Sequence, residues 1–155
     1  MKRPNPEHIE HLKMLINKGP FYSLMSMSLI DIGVGFSVFE IKVAEKHFHA
    51  FNAVHGGVFA SIIDTAAYWA AYYSIEDESM GAISVDLKLN YLASTATGEL
   101  VAKGRLIKLG KTLGYTEAEV LNQEGRLMAH GTSTLMLLPE MGFSDALQFP
   151  PKFLD

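Results

Sequence analysis

Apolar and polar positions alternate strictly near the middle of the chain. Ile83, Val85, Leu87, Leu89 and Tyr91 fall on one side, and Ser84, Asp86, Lys88 and Asn90 on the other. A period of two marks a half-buried strand, with one face on a core and one more polar. The strand pattern returns in Glu99 to Leu109 and Thr112 to Leu121, around Gly110-Lys111, and in a mostly apolar run from Leu127 to Leu138 that Pro139 stops. Successive long strands with short turns predict an antiparallel meander. Upstream, Ser26 to Glu45 reads as two strands joined at Gly33-Val34-Gly35. The period becomes helical twice. Ile9, Leu12 and Ile16 place a short amphipathic helix within Pro4 to Asn17, ended by Gly19-Pro20. His55 to Tyr73, HGGVFASIIDTAAYWAAYY, is apolar nearly all round, ends near Ser74 and has to be covered on most sides. The expectation is an α+β fold in one domain, residues 1–155, with a curved antiparallel sheet of five to six strands wrapped around one long central helix. An N-terminal helix and loop occupy 1–20, and the tail 139–155 lies extended on the surface.

Composition narrows the function classes. The 155 residues are 48% hydrophobic and 19% charged, enough for one core without staples. With no cysteine there are no disulfides, thiolate nucleophiles or Cys-based zinc sites. A net charge of -4 and no basic run argue against a nucleic-acid partner. The N-terminus lacks the apolar core of a secretion signal, and Ser61, Asp64 and Thr65 interrupt the most apolar segment, so no membrane partner is expected and the cytoplasm is the expected location.

The chemistry concentrates on the central helix. Asp64 is the only charged residue between Gly56 and Ile75. A carboxylate in such a helix is costly unless it is paired, hydrogen-bonded or used. Its bland reading is a bond to Thr65 or to backbone; its functional reading is a general base or nucleophile. His55-Gly56-Gly57 opens the helix, where N–H groups without internal partners suit a developing oxyanion; the alternative is a plain glycine turn. Gly110-Lys111-Thr112 is no phosphate loop, because five residues rather than four separate Gly104 from Gly110 and the setting is a hairpin. Arg105, Lys108 and Lys111 still gather positive charge there, as phosphate contacts or as a solvated hairpin end. Glu7, His8 and His11 share a helix face at metal-binding spacing, but surface residues are the expectation there. No G-x-S-x-G elbow or H-E-x-x-H motif occurs.

H-G-G, an aspartate nine residues after the histidine, ISVDLKLNYLAS, KLGKTLGY and QEGRLMAHGTSTLML, in this order, resemble the hotdog-fold acyl-CoA thioesterases, in particular the phenylacetate-pathway (PaaI-like) type within the 4-hydroxybenzoyl-CoA thioesterase superfamily. The resemblance runs from about Gly35 to Leu138. It implies hydrolysis of an acyl-CoA to free acid and coenzyme A, with no metal and no bound cofactor. It also implies dimers joined sheet edge to sheet edge, commonly dimers of dimers, with active sites built from both subunits. Asp64 matches the catalytic acid, Gly56 the backbone donor to the thioester carbonyl, and His55 the histidine of the same turn, with Gly57 beside it. Ser84 matches a serine that orients water. Arg105, Lys108, Lys111 and Thr112 fall where relatives touch the coenzyme A nucleotide. One departure stands out. Relatives usually carry Asn six residues before the His-Gly-Gly histidine and Gly three before it; here those positions hold His49 and Asn52. Either His49 or Asn52 supplies the second polar contact, or the protein is a low-turnover acyl-CoA binder or sensor. A hydratase is disfavoured, since TAAYWAA after Asp64 holds no histidine. The acyl group is not legible: Phe48, Phe51, Phe59, Tyr68, Trp69 and Tyr72 suit a pocket or a core equally well.

Overall fold

The computed structural model describes residues 2–141 and 149–154. In chain order it contains β1 (Arg3–Pro4), α1 (Pro6–Asn17), α2 (Pro20–Leu24), β2 (Met27–Gly33), β3 (Phe36–Lys42), α3 (Gly56–Ala70), β4 (Met80–Tyr91), β5 (Glu99–Leu109), β6 (Leu113–Asn122), β7 (Leu127–Pro139) and β8 (Phe153–Leu154). The expected hairpin and the strands of the second half are present within a residue or three of their expected bounds. A 3-10 turn at Tyr72–Ser74 finishes α3 where the apolar run ends.

The main sheet has six antiparallel strands in the order β2-β3-β5-β6-β7-β4. The expected meander holds for β5, β6 and β7 only. The β4 strand pairs with β7 at the far edge, so residues 92–98 cross three inter-strand spacings. Seven extended residues reach ~23 Å, and three spacings need ~14 Å. Alternation reveals that a strand exists and says nothing of its neighbours.

A second difference lies within β4. Ser84 pairs with Leu135 and Asp86 with Thr134, leaving Val85 as the extra residue of a bulge. The Asp86 carboxylate fixes it by accepting the Thr134 N–H at 2.8 Å. The bulge and the edge position leave Ile83 and Val85 exposed, at 38% and 47%, while Leu87 and Leu89 pack on the core. The expected single core face is therefore split.

The α3 helix lies against the concave sheet face, burying Val58, Phe59, Ile62, Ile63, Ala66, Ala67, Trp69 and Ala70. Approach is close because the sheet offers no side chain at the contact. A Cβ on Gly104 would lie 2.0 Å from the Ala66 carbonyl oxygen, and one on Gly131 would meet Ile63 at 2.8 Å. Ser37 Oγ donates to that same Ala66 oxygen at 2.7 Å.

The N-terminal helix starts at Pro6, with Asn5 Oδ1 accepting the Glu7 N–H at 3.0 Å. His8 is not a surface residue, contrary to expectation. It is 3% exposed, with Nδ1 2.8 Å from the Tyr73 hydroxyl. His11 instead donates Nδ1–H to the Glu7 carbonyl, so the two imidazoles do not converge. Among the described residues no cluster of three or more His, Cys, Asp or Glu is placed to hold a metal ion. The described part of the tail packs in extended form, as expected, and the packing buries Lys152 and Phe153. β8 pairs with β1, and the buried Lys152 donates to the Ile75 carbonyl at 2.8 Å with its ammonium 4.1 Å from the Tyr72 ring centroid. Residues 142–148 of the expected tail lie outside the described residues.

Candidate active site

The loop from Val43 to His55 sets the start of α3. His47 anchors it: Nδ1 accepts the Ala44 N–H at 3.0 Å, Nε2 donates to the Met25 carbonyl at 2.9 Å, and its own carbonyl accepts the His55 N–H at 2.8 Å. Burial lowers the His47 pKa, against the pull of the Met25 bond, so a neutral ring suits this post. In the sequence no spacing rule distinguishes His47 from His49.

His55 is the N-cap. Its Nδ1 accepts the Gly57 N–H at 2.8 Å, which leaves the proton of the neutral ring on Nε2, facing solvent. Gly57 is thereby consumed by the cap. The Gly56 N–H, at the first helical position, has no hydrogen-bond partner among the described residues. A free amide at the positive end of a 15-residue helix is a ready donor to a developing oxyanion. A ring the sequence did not single out lies over it: a Cβ on Gly56 would be 3.3 Å from Tyr91 Cε1 and Cζ and 3.5 Å from its hydroxyl oxygen.

His49 and Asn52 belong to a small local turn. His49 Nδ1 accepts the Phe51 N–H at 3.0 Å, and the His49 N–H donates to the Ala53 carbonyl. Asn52 is exposed with φ 59°, a left-handed conformation that glycine and then asparagine adopt most readily. That accounts for Asn52 on conformational grounds.

Asp64 lies on the one stripe of α3 that the sheet leaves open, with Ala60, Ser61, Thr65 and Tyr68, all half-buried. Its carboxylate makes no hydrogen bond or ion pair among the described residues, so neither Thr65 nor backbone satisfies it. Tyr22, from the unexpected helix α2, stands nearby and accepts the Trp69 Nε1–H at 3.1 Å. Burial raises the Tyr22 pKa, the Trp69 bond opposes that, and the negative charge of Asp64 adds to the rise.

Within one chain the expected residues fall into separate groups. Eight residues of helix separate Gly56 from Asp64 by ~12 Å along the axis. Ser84 is seven strand residues, ~23 Å, from Tyr91, and it pairs with Leu135 of the cluster around Ala71 and Ile75, at the other end of α3. Lys111 and Thr112 form the exposed β5–β6 hairpin tip, and the adjoining Leu109 packs on that same cluster. Arg105 lies on the outer sheet face. Its Nε donates to Glu117 at 3.0 Å, and His130 Nε2 lies 3.4 Å from the other Glu117 oxygen, in a groove of about 330 Å³. Burial alone would raise the Glu117 pKa, but Arg105 and His130 hold it below the usual range.

A long helix cradled in a curved six-stranded antiparallel sheet is the hotdog arrangement. Comparison with known proteins gives the family: residues 51–129 match the thioesterase superfamily, and the chain belongs to it. Human acyl-coenzyme A thioesterase 13 is 30% identical over 113 residues, 72% of this chain and 79% of that protein. The acyl-coenzyme A thioesterase PaaI of Escherichia coli is 24% identical over 68% of this chain and 73% of its own length. The crystal structure of a Haemophilus influenzae thioesterase superposes with a TM-score of 0.81, at 19% identity, covering 92% of this chain and 99% of that one. The protein is a thioester hydrolase of the hotdog fold. Among the described residues no helix is long and apolar enough to cross a membrane.

Proposed function

We propose that the chain hydrolyses acyl-CoA thioesters to free acid and coenzyme A, and that a second copy completes each active site. The observation that carries this reading is the pair of unpartnered groups on α3, the Gly56 N–H and the Asp64 carboxylate, held too far apart in one chain to serve one thioester. Water attacks the carbonyl carbon while Asp64 takes its proton. The oxyanion forms on the Gly56 N–H, and on collapse the C–S bond breaks and the proton passes from Asp64 to the departing thiolate. Asp64 acts as base here because it is half-exposed and water reaches it. The Ser84 hydroxyl makes no hydrogen bond among the described residues and is free to hold that water, while the residue itself pairs with Leu135 in the sheet. The acyl-CoA substrate class is supported by the names of the relatives. Lys108 and Lys111 are exposed and free of ion pairs among the described residues, so they suit the nucleotide phosphates. Arg105 is already held by Glu117.

The second copy docks through β4. Among the described residues this 12-residue strand pairs with β7 alone, so its other edge is open to a partner, with exposed Ile83, Val85 and Tyr91 beside it. Antiparallel pairing of two β4 edges about an axis near Leu87 and Lys88 sets Tyr91 of one copy opposite Ser84 of the other. That brings the Gly56 turn of each chain to the Asp64 stripe of its mate.

The test is thiol release from a panel of aryl, short-chain and long-chain acyl-CoAs. Asp64→Asn should lower kcat by ~10²–10⁴-fold, the range for a lost general base, with the protein still folded. Full rates in that variant would remove Asp64 from the chemistry. Tight acyl-CoA binding by the native protein without thiol release would favour a binding or sensing role.

A further inference from the structure

We propose that the Tyr91 hydroxyl is a second donor to the substrate carbonyl, paired with the Gly56 N–H in the same oxyanion pocket. The proposal rests on the thioesterase reading above and adds a residue to it. In a helix the Cα–Cβ bond tilts toward the N-terminus. The space a Cβ on Gly56 would occupy therefore lies on the side to which its N–H points. Tyr91 fills that space, with its hydroxyl oxygen 3.5 Å and its Cζ 3.3 Å from the Cβ position. Glycine at 56 thus does two things: it leaves the amide open and makes room for the phenol beside it.

Three further observations agree. The Tyr91 hydroxyl makes no hydrogen bond among the described residues, and in a single chain the side chain is 57% exposed, so the donor is uncommitted where the two β4 edges would meet. The ring is steadied from below by the buried Phe59, at 6.4 Å between centroids and 67° between planes. The other candidates are less well placed: His49 keeps an Nε2–H to donate, since its Nδ1 accepts the Phe51 N–H, but the three atoms nearest the Gly56 Cβ position all belong to Tyr91, and Asn52 occupies the left-handed corner of its turn. A phenol beside a helix N-terminus is a strong neutral donor in a place where negative charge is favoured.

Tyr91→Phe keeps the ring and its contact with Phe59 and removes only the donor. It should lower kcat by ~10²-fold with KM little changed, as for loss of one oxyanion-hole donor. Tyr91→Ala should lower kcat at least as far. A readout apart from turnover is the thioester carbonyl stretch of an acyl-CoA bound to the Asp64→Asn protein. It should lie at lower wavenumber than in the Asp64→Asn, Tyr91→Phe double variant. Native kcat in Tyr91→Phe, with an unmoved carbonyl band, would overturn the donor role while leaving the thioesterase reading intact. If only Tyr91→Ala were impaired, through KM, the ring would be a wall and the donor role would again fall. Absence of thioester hydrolysis by the native protein across the panel would sink both.

Discussion

At Gly56 the missing side chain and the free amide can be separated by two substitutions. Ala adds a Cβ that meets Tyr91 at 3.3 Å, so the ring has to yield by a few tenths of an ångström, but the N–H remains. Pro adds the same Cβ and deletes the N–H. The fold should accept proline: the amide bonds to nothing among the described residues, the position is the first of the helix, and His55 before it has φ -66° and ψ 140°, the extended region a residue preceding proline requires. Gly56→Pro should therefore match Gly56→Ala in helical circular dichroism and thermal midpoint, yet fall below it in kcat by ~10²–10³-fold. Equal kcat in the two variants would take this amide out of the reaction.

Among the elements, α1 and the tail are bound together by groups that titrate, and this makes stability depend on pH. Burial, then the charges of Lys152 and His11, lowers the His8 pKa from 6.5 to about 4. Burial also raises the Tyr73 phenol, so Tyr73 is the donor and neutral His8 the acceptor in their 2.8 Å bond. Between pH 6.5 and 4 the unfolded chain carries a proton on His8 that the native chain refuses, so stability falls as pH drops through that window and levels below it. A series of thermal midpoints from pH 7 to 4 should show the loss, and His8→Gln, which keeps an acceptor for Tyr73, should flatten it. Parallel profiles would exclude His8 as the linked group. In the sequence His8 differs in no way from a surface histidine, because its burial depends on Tyr73 and Phe149, far along the chain. The short helix α2 was equally hidden, since five residues carry no period. By contrast α3 and every strand of the main sheet were legible, as were the Gly56 turn and Asp64, because local periodicity and one misplaced charge reveal them. In the sequence Tyr91 is only the last apolar position of a strand; that it covers Gly56 follows from how β4 runs back along α3, which no local pattern encodes.

For the whole molecule, the proposed division of the site between two copies predicts a behaviour that no single-chain site shares. In one chain the donor turn of His55, Gly56 and Tyr91 stands at the start of α3, while Asp64 and Ser84 lie ~12 Å or more along it. If catalysis took place within a chain, mixing two inactive variants would restore nothing. If each site takes its donor turn from one copy and its carboxylate from the other, Asp64→Asn and Gly56→Pro complement each other. A mixed dimer then has one site with both defects and one with neither. Equal amounts, mixed and allowed to exchange subunits, should recover about a quarter of native activity: half the dimers are mixed and each keeps one of two sites. The recovery should require exchange, so it should grow at the rate that subunit mixing shows by sedimentation or fluorescence transfer. It should vanish when Val85→Pro, which disturbs the bulge that shapes the β4 edge, is placed in both variants. A stable dimer that regains no activity on mixing would put the whole site back into one chain, and the gap between Gly56 and Asp64 would then have to be bridged by a movement of α3.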